Sequence, residues 1–450
     1  MAHHEDDQAE TVLMRLINGH RGAGLEGIKP ASNIPECWGR HGIYESGGLD
    51  RQRHIPGSPT ESIDTCNKYK GVTIQFEGGG VTIHRPLLQF SKDRLIATCL
   101  DTDTPWFEDL TNENPTITPR NAIRQLLKSG SLPEAVQKPS LLAISRKKRE
   151  EKVGMSARAE RRILRCEVRL DVRSSRLVIR LPQDVLQGSH KSNIPKEYKE
   201  RTRQRLMAMA ALILRRFLEV VSPLENISLE RLRTAVCRVF PEVLEGGGSR
   251  DGAEINLAES FTVAGVDVRK IAPENTTPKK RSKGFQYEDH GWVLTRQPYG
   301  RFDPIPTVTF PPGSHSKESV RRSWHLWDGR YWIRVHNHTS KLITVRPFEP
   351  TDLMSFRNSI PCWAQQSFND RLSAAAPGKV RWTLPALVAE GKVVALPTLG
   401  FAVQKEEYWR LRWQIRYKKV DLGKEEENPT KWWGGRYSRY LKARGINNET

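Results

Sequence analysis

The chain has 450 residues, enough for two or three domains that each bury a core. Its formal net charge of +20, from 72 Lys and Arg against 52 Asp and Glu, points to a polyanionic partner, because clustered cations bind phosphate backbones by releasing counterions. No run of 18 apolar residues occurs, which excludes a membrane-spanning helix, and six scattered cysteines (Cys37, Cys66, Cys99, Cys166, Cys237, Cys362) without a C-x-x-C pair exclude a zinc ribbon, a redox pair or a disulfide framework and fit a reducing compartment.

In chain order, residues 6 to 18 predict a helix, with Asp6 and Asp7 at its start and Ala9, Leu13, Leu16 and Ile17 along one stripe. Gly19, Gly22 and Gly24 end it, and the Gly-, Pro- and Ser-rich stretch 26–70 reads as a loop excursion. "GVTIQF" and "GVTIHRPLL" read as two strands joined by a turn at glycines 78 to 80, followed by helices at 91–103 and 119–128. Between those helices, Asn112, Asn114 and two prolines mark an irregular loop.

Residues 144–180 hold 13 basic and 5 acidic residues and form the most basic region of the chain. Arg146, Lys147, Lys148 and Arg149 read as a flexible basic run, and Arg169, Arg173, Arg176 and Arg180 fall in a hairpin with a Ser-Ser turn. Both sets are candidates for contacting RNA phosphates, although a solvated, solubilising face explains such a run equally well. Helices follow at 196–221 and 228–240, then a glycine break at 246–248, a hairpin in "FTVAGVDVRK" and a linker over 271–283. From 284 onward short strands, Asp-Gly and Glu-Gly turns and most of the tryptophans predict a mainly β domain. The expected organisation is therefore an α/β segment over 1–130, a basic α+β domain over 131–270 and a mainly β domain over 284–450.

Several blocks carry chemistry. "AHHEDDQAET" sets His3, His4, Asp6 and Asp7 at a helix start, where they could hold a magnesium-bound nucleotide or remove a proton, or simply form a solvated terminus. Their spacing does not suit a zinc site. Arg120, Asn121 and Arg124 share a helix face, so both guanidiniums could meet one phosphate or carboxylate, and Arg85 before Pro86 is a similar candidate.

"AHHEDDQAETVLMRL" with "GHRGAGLEGI", then "RPLLQFSKDRLIATC", "PWFEDLTNENPTITPRNAIRQLL" and the closing "RWTLPALV" and "ALPTLGF" stand in an order that resembles the tRNA(Ile)-lysidine synthetases, ATP-dependent enzymes of the PP-loop superfamily. The resemblance is close over 1–130, patchy over 131–283 and moderate over 284–420. One departure is the Asp109-Leu110-Thr111-Asn112 tetrad, where the family has Asp-Pro-Ser/Thr-Asn. It implies a Rossmann-like nucleotide-binding sheet, the cofactors ATP and Mg²⁺, and the partners free L-lysine and the tRNA(Ile) with a CAU anticodon. The implied reaction adenylates the wobble cytidine and displaces AMP with the lysine ε-amine, a carbon–nitrogen ligation. By resemblance Asp7 is the base, His3 and His4 assist it, and Asp6 lies near the metal. Arg85, Arg120, Asn121 and Arg124 hold phosphate.

The family's pyrophosphate loop, S-G-G-x-D-S, precedes this block. "SGGLD" at 46–50 follows it, continues into Arg51 and a Pro-rich stretch, and reads as coincidence. The expectation is that the loop lies upstream of residue 1 and that the chain alone forms no lysidine while still binding RNA. A non-catalytic RNA-binding protein is the alternative. A thiolating PP-loop enzyme would use paired cysteines. The first ten residues, with Glu5, Asp6, Asp7 and Glu10, show no signal or transit character. The large basic insertions resemble an organelle form, so mitochondria are the expected compartment, with the cytoplasm as the alternative.

Overall fold

A computed structural model describes residues 2–33, 75–76, 82–107, 111, 114–182, 184–186, 196–224, 226–243, 260–271, 291–313, 324–418 and 420–421. The "SGGLD" stretch, most of the 26–70 excursion, the turn at 78–80, Asp109, Leu110 and Asn112, the break at 246–248, nearly all of the 271–283 linker and the C-terminal tail lie outside them. The chain divides into two compact units, Met1–Ser46 with Gly78–Arg158, and Gly47–Glu77 with Ala159–Thr450.

In the first unit come α1 (Glu5–Ile17) and β1 (Ala31–Asn33); β2 (Gln75–Phe76) belongs to the second unit; β3 (Thr82–His84), α2 (Lys92–Asp101), α3 (Pro119–Ser129) and α4 (Lys138–Ile163) follow. α1 starts where its acids favour the positive helix end, and the Asp7 carboxylate accepts the His4 backbone N–H at 2.9 Å. α3 begins with Thr118 accepting the Asn121 N–H and Pro119 in the first turn, and ends at Gly130 with φ 66°. Ala9, Val12 and Leu13 of α1 pack on Ile123 of α3 and Leu141 of α4. Full burial of such side chains is worth about 1.5–3 kcal/mol each. Buried Gln8 fastens the 22–28 loop beneath this core: its Oε1 accepts the Ile28 N–H at 2.6 Å, and its Nε2 donates to Glu26 O at 3.1 Å and Ser145 Oγ at 2.6 Å.

Three expectations change in this unit. The strands flanking glycines 78–80 do not pair with each other: β3 pairs antiparallel with β1, and β2 with a late strand of the second unit. The run Arg146–Arg149 is not flexible but sits within the 26-residue α4, and because Leu141 and Ser145 pack on α1 the unit extends past 130 to Arg158. Among its described residues the only sheet is the two-stranded β1–β3 pair, so the parallel Rossmann-like sheet is not visible there.

The second unit is a mixture of helices and antiparallel sheets. Its elements are β4 (Glu167–Asp171), β5 (Arg176–Arg180), α5 (Lys196–Val221), α6 (Arg233–Val239), β6 (Ser260–Val263), β7 (Val266–Lys270), β8 (Gly291–Arg296), β9 (Val308–Phe310), β10 (His325–Trp327), β11 (Tyr331–Asn337), β12 (Ile343–Pro347), α7 (Asp352–Ser359), α8 (Cys362–Ala375), β13 (Pro385–Ala389), β14 (Lys392–Leu396), β15 (Phe401–Ala402), β16 (Leu411–Tyr417) and β17 (Val420–Asp421). The sheets run β4-β5-β8-β7-β6, β10-β11-β16 and β15-β14-β13-β12-β9. Three hairpins turn on pairs with positive φ, Ala264-Gly265, Asp328-Gly329 and Glu390-Gly391, the backbone twist that suits two-residue hairpin turns.

One correction follows. The sheet crosses the expected linker, because β8 inserts between β5 and β7 and pairs with both. Among the strands of the C-terminal part stand two helices: α7 and α8 bury Phe356, Ile360, Ala364, Phe368 and Leu372 against the β12–β15 sheet, with Phe356 edge-to-face on Phe368 at 5.6 Å. Fully buried Arg330 pins this unit, donating to Asp328 at 2.7 Å, Ser175 Oγ at 3.0 Å and Thr383 O at 2.7 Å.

Candidate active site

The apolar stripe that docks α1 on α3 also sets the polar flank beside it. Asp7 and Glu10 of α1 face Arg120 and Arg124 of α3. Arg120 donates from Nη2 to Asp7 Oδ1 at 2.8 Å and from Nε to Glu10 Oε2 at 2.8 Å. Arg124 donates from Nε to Glu10 Oε1 at 2.7 Å and from Nη2 to Glu10 Oε2 at 3.2 Å. The i, i+4 pair therefore does converge on one anion, and in this arrangement that anion is the Glu10 carboxylate, 2% exposed. Glu10 stands inside the recognised block yet was not among the expected site residues; its signal was an acid three residues after Asp7, beside the buried stripe.

Asp6 points to the other side of the helix start. Its Oδ1 accepts from Lys138 Nζ at 2.6 Å and its Oδ2 from the Lys92 backbone N–H at 2.8 Å. His4 lies against both acids, with Nδ1 3.4 Å from Asp6 Oδ2 and Nε2 3.6 Å from Asp7 Oδ2. The His4 contact, helped by Lys138 and the Lys92 N–H, holds the Asp6 carboxyl well below the usual carboxylate range, and Asp6 in turn raises the His4 imidazole above its ordinary value. Lys138, a second residue not expected from sequence, also pairs with Glu5 at 3.1 Å. His3 is half-buried beside this group, and its Nδ1 has no hydrogen-bond partner among the described residues.

The remaining candidates play different parts. Asn121 is buried and donates to Thr111 O and Asn114 O, both at 2.9 Å, so it shapes the loop before α3. Arg85, just after β3, donates to Lys29 O and Ser32 Oγ at 3.0 Å and so holds β1 and the chain just before its start. On α4, Arg146 and Lys147 are exposed, Lys148 pairs with Glu151 at 2.8 Å, and Arg149 donates to Ile28 O at 3.0 Å. In the β4–β5 hairpin, Arg169 and Arg180 pair with Glu167 and Arg173 with Asp171, while Arg176 is half-buried. The basic hairpin is thus partly neutralised by its own strands.

Two groups implied by the resemblance can be compared with this geometry. For Mg²⁺, no cluster of three or more His, Cys, Asp or Glu able to hold a metal occurs among the described residues, and Asp6 spends both oxygens on Lys138 and Lys92. Arranged in this way Asp6 is an ion-pair partner and not an open magnesium ligand. For nucleotide phosphate the donor set fits better, since the Arg120 side chain is 37% exposed and presents a guanidinium at the surface of the cluster.

The comparisons agree with the sequence blocks. A family model described as PP-loop domain matches residues 60–129, the segment that holds Arg85, Arg120, Asn121 and Arg124, and implies ATP use; α1 precedes it. A probable tRNA(Ile)-lysidine synthase of Schizosaccharomyces pombe is 23% identical over 405 residues, 89% of this chain and 68% of that protein. A bifunctional protein TilS/HprT of Listeria monocytogenes, from two strains, is 34% identical over 70 residues, 16% of this chain and 9% of the bacterial protein. With the ordered motif blocks and the acid–guanidinium cluster on one chain, these matches make the chain similar to tRNA(Ile)-lysidine synthases.

Proposed function

We propose that the chain acts in ATP-dependent ligation of free L-lysine to the wobble cytidine of the CAU anticodon of tRNA(Ile). The observation that carries the reading is the Asp7–Arg120–Glu10–Arg124 cluster, in which two guanidiniums and two carboxylates meet and both arginines lie inside the PP-loop match. A cytosine carbonyl has no leaving group, so its oxygen must first attack the α-phosphorus of ATP, forming a P–O bond and releasing pyrophosphate. The lysine ε-nitrogen then attacks the activated carbon, the C–O bond breaks, and AMP leaves.

Arg120, held by Glu10, is the donor that meets phosphate. In doing so it exchanges Asp7 for the incoming anion, which frees the Asp7 carboxylate from its guanidinium contact. Asp7 then takes the proton that the lysine ammonium must lose before its nitrogen can attack. His4, raised by Asp6, and His3 lie beside it and assist. An anticodon base reaches such a site only by leaving its stack, which single-stranded loops permit. Exposed Arg146 and Lys147 of α4 supply phosphate contacts.

The test uses the full-length gene product with a CAU-anticodon tRNA transcript, ATP and L-lysine, and reads lysidine by nucleoside mass spectrometry. Asp7→Asn should slow lysidine formation by about 100-fold or more, the range of a lost general base, with tRNA binding retained. An unchanged rate removes Asp7 from the role, and absence of lysidine from the parent protein overturns the reaction. In this proposal the reaction is mitochondrial, a reading supported by the basic insertions; a fluorescent fusion of the full-length product confined to the cytosol would overturn that part.

A further inference from the structure

Four carboxylates, Glu5, Asp6, Asp7 and Glu10, crowd the first two turns of α1, and the cations that answer them come from two helices. Arg120 and Arg124 of α3 take Asp7 and Glu10. Lys138, the first residue of α4, takes the other two, with Nζ 2.6 Å from Asp6 Oδ1 and 3.1 Å from Glu5 Oε2. Packing fixes where Lys138 stands. Leu141, three residues on and therefore on the same helix face, is fully buried against α1. The turn ahead of it is closed by Gln137 donating to Leu132 O at 3.1 Å and Ser140 donating to Glu134 O at 2.8 Å.

The Lys138–Asp6 pair does little for the fold, because both side chains are 32% exposed and ion pairs so placed contribute little to stability. What it does is hold a carboxylate still. Asp6 Oδ1 accepts from Lys138 and Oδ2 accepts the Lys92 N–H at 2.8 Å, so the group is gripped at both oxygens. Held there, Asp6 faces His4 Nδ1 at 3.4 Å, a contact longer than an ordinary hydrogen bond, while His4 Nε2 lies 3.6 Å from Asp7 Oδ2. The imidazole is thus bracketed by two carboxylates, and its orientation is only as definite as theirs. Asp7 Oδ1 is held by Arg120, which the proposed reaction lends to phosphate. From that moment the Asp6 side of the bracket is the one that stays, and Lys138 holds its Oδ1.

We propose that Lys138 is a positioning residue: through Asp6 it keeps the His4 imidazole turned to Asp7 while Arg120 is engaged by the nucleotide. The inference rests on the proposed ligation, in which Asp7 is the base, and deepens it by naming the side chain that keeps the neighbour of that base in place. Lys138 acts on the reacting groups only through Asp6 and His4. Removing Lys138 and removing the Asp6 carboxylate therefore break the same link, and breaking it twice costs no more than breaking it once. The link orders groups for the chemical step and leaves the binding of ATP and lysine alone, so its loss falls on kcat and spares KM.

The test makes two measurements on the full-length gene product. In steady-state lysidine formation, Lys138→Met should lower kcat about tenfold or more with KM for ATP and for lysine within about twofold of the parent, and Lys138→Arg should recover kcat to within about threefold. Lys138→Met placed on Asp6→Asn should lower kcat no further than about twofold. A raised KM with kcat unchanged, or a full second loss on top of Asp6→Asn, would overturn the inference and leave Lys138 a structural contact. The second measurement is NMR of the protein carrying ¹⁵N-histidine, at one pH, with His4→Asn identifying the His4 signals. The contact made at one ring nitrogen decides which of the two carries the proton, so Lys138→Met should shift the His4 ring signals and Lys138→Arg should return them. Ring signals at parental positions in Lys138→Met would overturn the inference whatever the rate does. A parent protein that makes no lysidine would overturn the reaction, and the ring signals would then decide the Lys138 link by themselves.

Discussion

Glu10→Gln separates charge from shape at the centre of the cluster. Glu10 is 2% exposed and receives Arg124 Nε at 2.7 Å, Arg120 Nε at 2.8 Å and Arg124 Nη2 at 3.2 Å. Removing one partner of a fully buried pair costs about 3–5 kcal/mol, whereas an exposed pair is worth about 0–1 kcal/mol. The arginine side chains are 37% and 23% exposed, so water compensates part of the loss and the pair lies between those limits. Glutamine keeps the volume and one acceptor oxygen, which sets the expected cost near 2 kcal/mol, roughly a thirtyfold change in the opening equilibrium. Glu10→Ala, which also leaves a cavity, should cost about 3 kcal/mol or more. Because the chain has two units, the measurement is hydrogen exchange at the α1 and α3 amides, where the local opening free energy is read directly. Glu5→Gln is the control, since Glu5 is 29% exposed and meets only Lys138 among the pairs described; it should cost under about 1 kcal/mol. The buried contact is poorly screened, so the Glu10 effect should persist at 0.5 M salt, roughly three times the physiological value, while the Glu5 effect shrinks. Protection in Glu10→Gln within about 0.5 kcal/mol of the parent would refute the reasoning and make the cluster a packing accident of α1 on α3.

Gly329→Ala and Gly391→Ala probe two hairpin turns of the second unit that differ in one respect. Both have positive φ, 59° and 76°, but a Cβ at 329 would lie 2.2 Å from the Pro223 carbonyl oxygen, while one at 391 meets nothing within 4 Å. Urea unfolding should show a loss of about 1–2 kcal/mol at 391 and at least about 3 kcal/mol at 329, where overpacking adds to backbone strain; equal losses would remove the close approach as the cause. The His4–Asp6 contact predicts a pH window. Asp6 is depressed, so its contribution is present above the ordinary carboxylate value of about 3.9 and is lost as pH falls through its lower folded value. His4 is raised, so its contribution is complete below about 6.5 and is lost as pH rises through its higher folded value. Protection of the first turn of α1 should therefore be greatest at about pH 5 to 6 and fall on the alkaline side, and His4→Asn should abolish that alkaline fall. An alkaline fall of the same size in His4→Asn would assign it to another group.

Much of the local structure was legible because single residues enforce it. Pro119 and Gly130 bracket α3, and the Asp-Gly and Glu-Gly pairs of the late hairpins adopt the positive φ that such turns need. What was misread depended on distant partners. Glycines 78–80 suggested a hairpin, yet the choice of β1 for β3 is made by chain 50 residues away. α4 carries so few apolar residues among its charges that it read as a loose basic run, although Lys, Arg, Glu and Met are good helix formers and Lys148 and Glu151 sit one turn apart. The pair α7–α8 did leave a signal: Phe356, Ile360, Ala364, Phe368 and Leu372 recur every four residues, a helical period overlooked in a region crowded with tryptophans and turn pairs.

The site shows the same division at finer scale. An i, i+4 arginine pair can be read from sequence as a receptor for one anion, but phosphate and carboxylate satisfy its geometry equally, and nothing local to α3 distinguishes them. The choice is made by hydrophobic docking. Ala9, Val12 and Leu13 must meet Ile123 for α1 and α3 to bury their stripes, and on α1 the positions flanking that stripe are Asp7 and Glu10. Once the apolar residues are in register, the carboxylates arrive at Arg120 and Arg124 without further specification. A stability contact and a candidate catalytic contact are therefore consequences of one packing event. Glu10, buried, grips both arginines and fixes where they stand, whereas Asp7, sharing only Arg120, is the partner that an incoming anion can displace. A substitution that loosens the stripe, such as Val12→Ala, should accordingly act on both through geometry, while Asp7→Asn should change the chemistry and leave the α1–α3 packing intact.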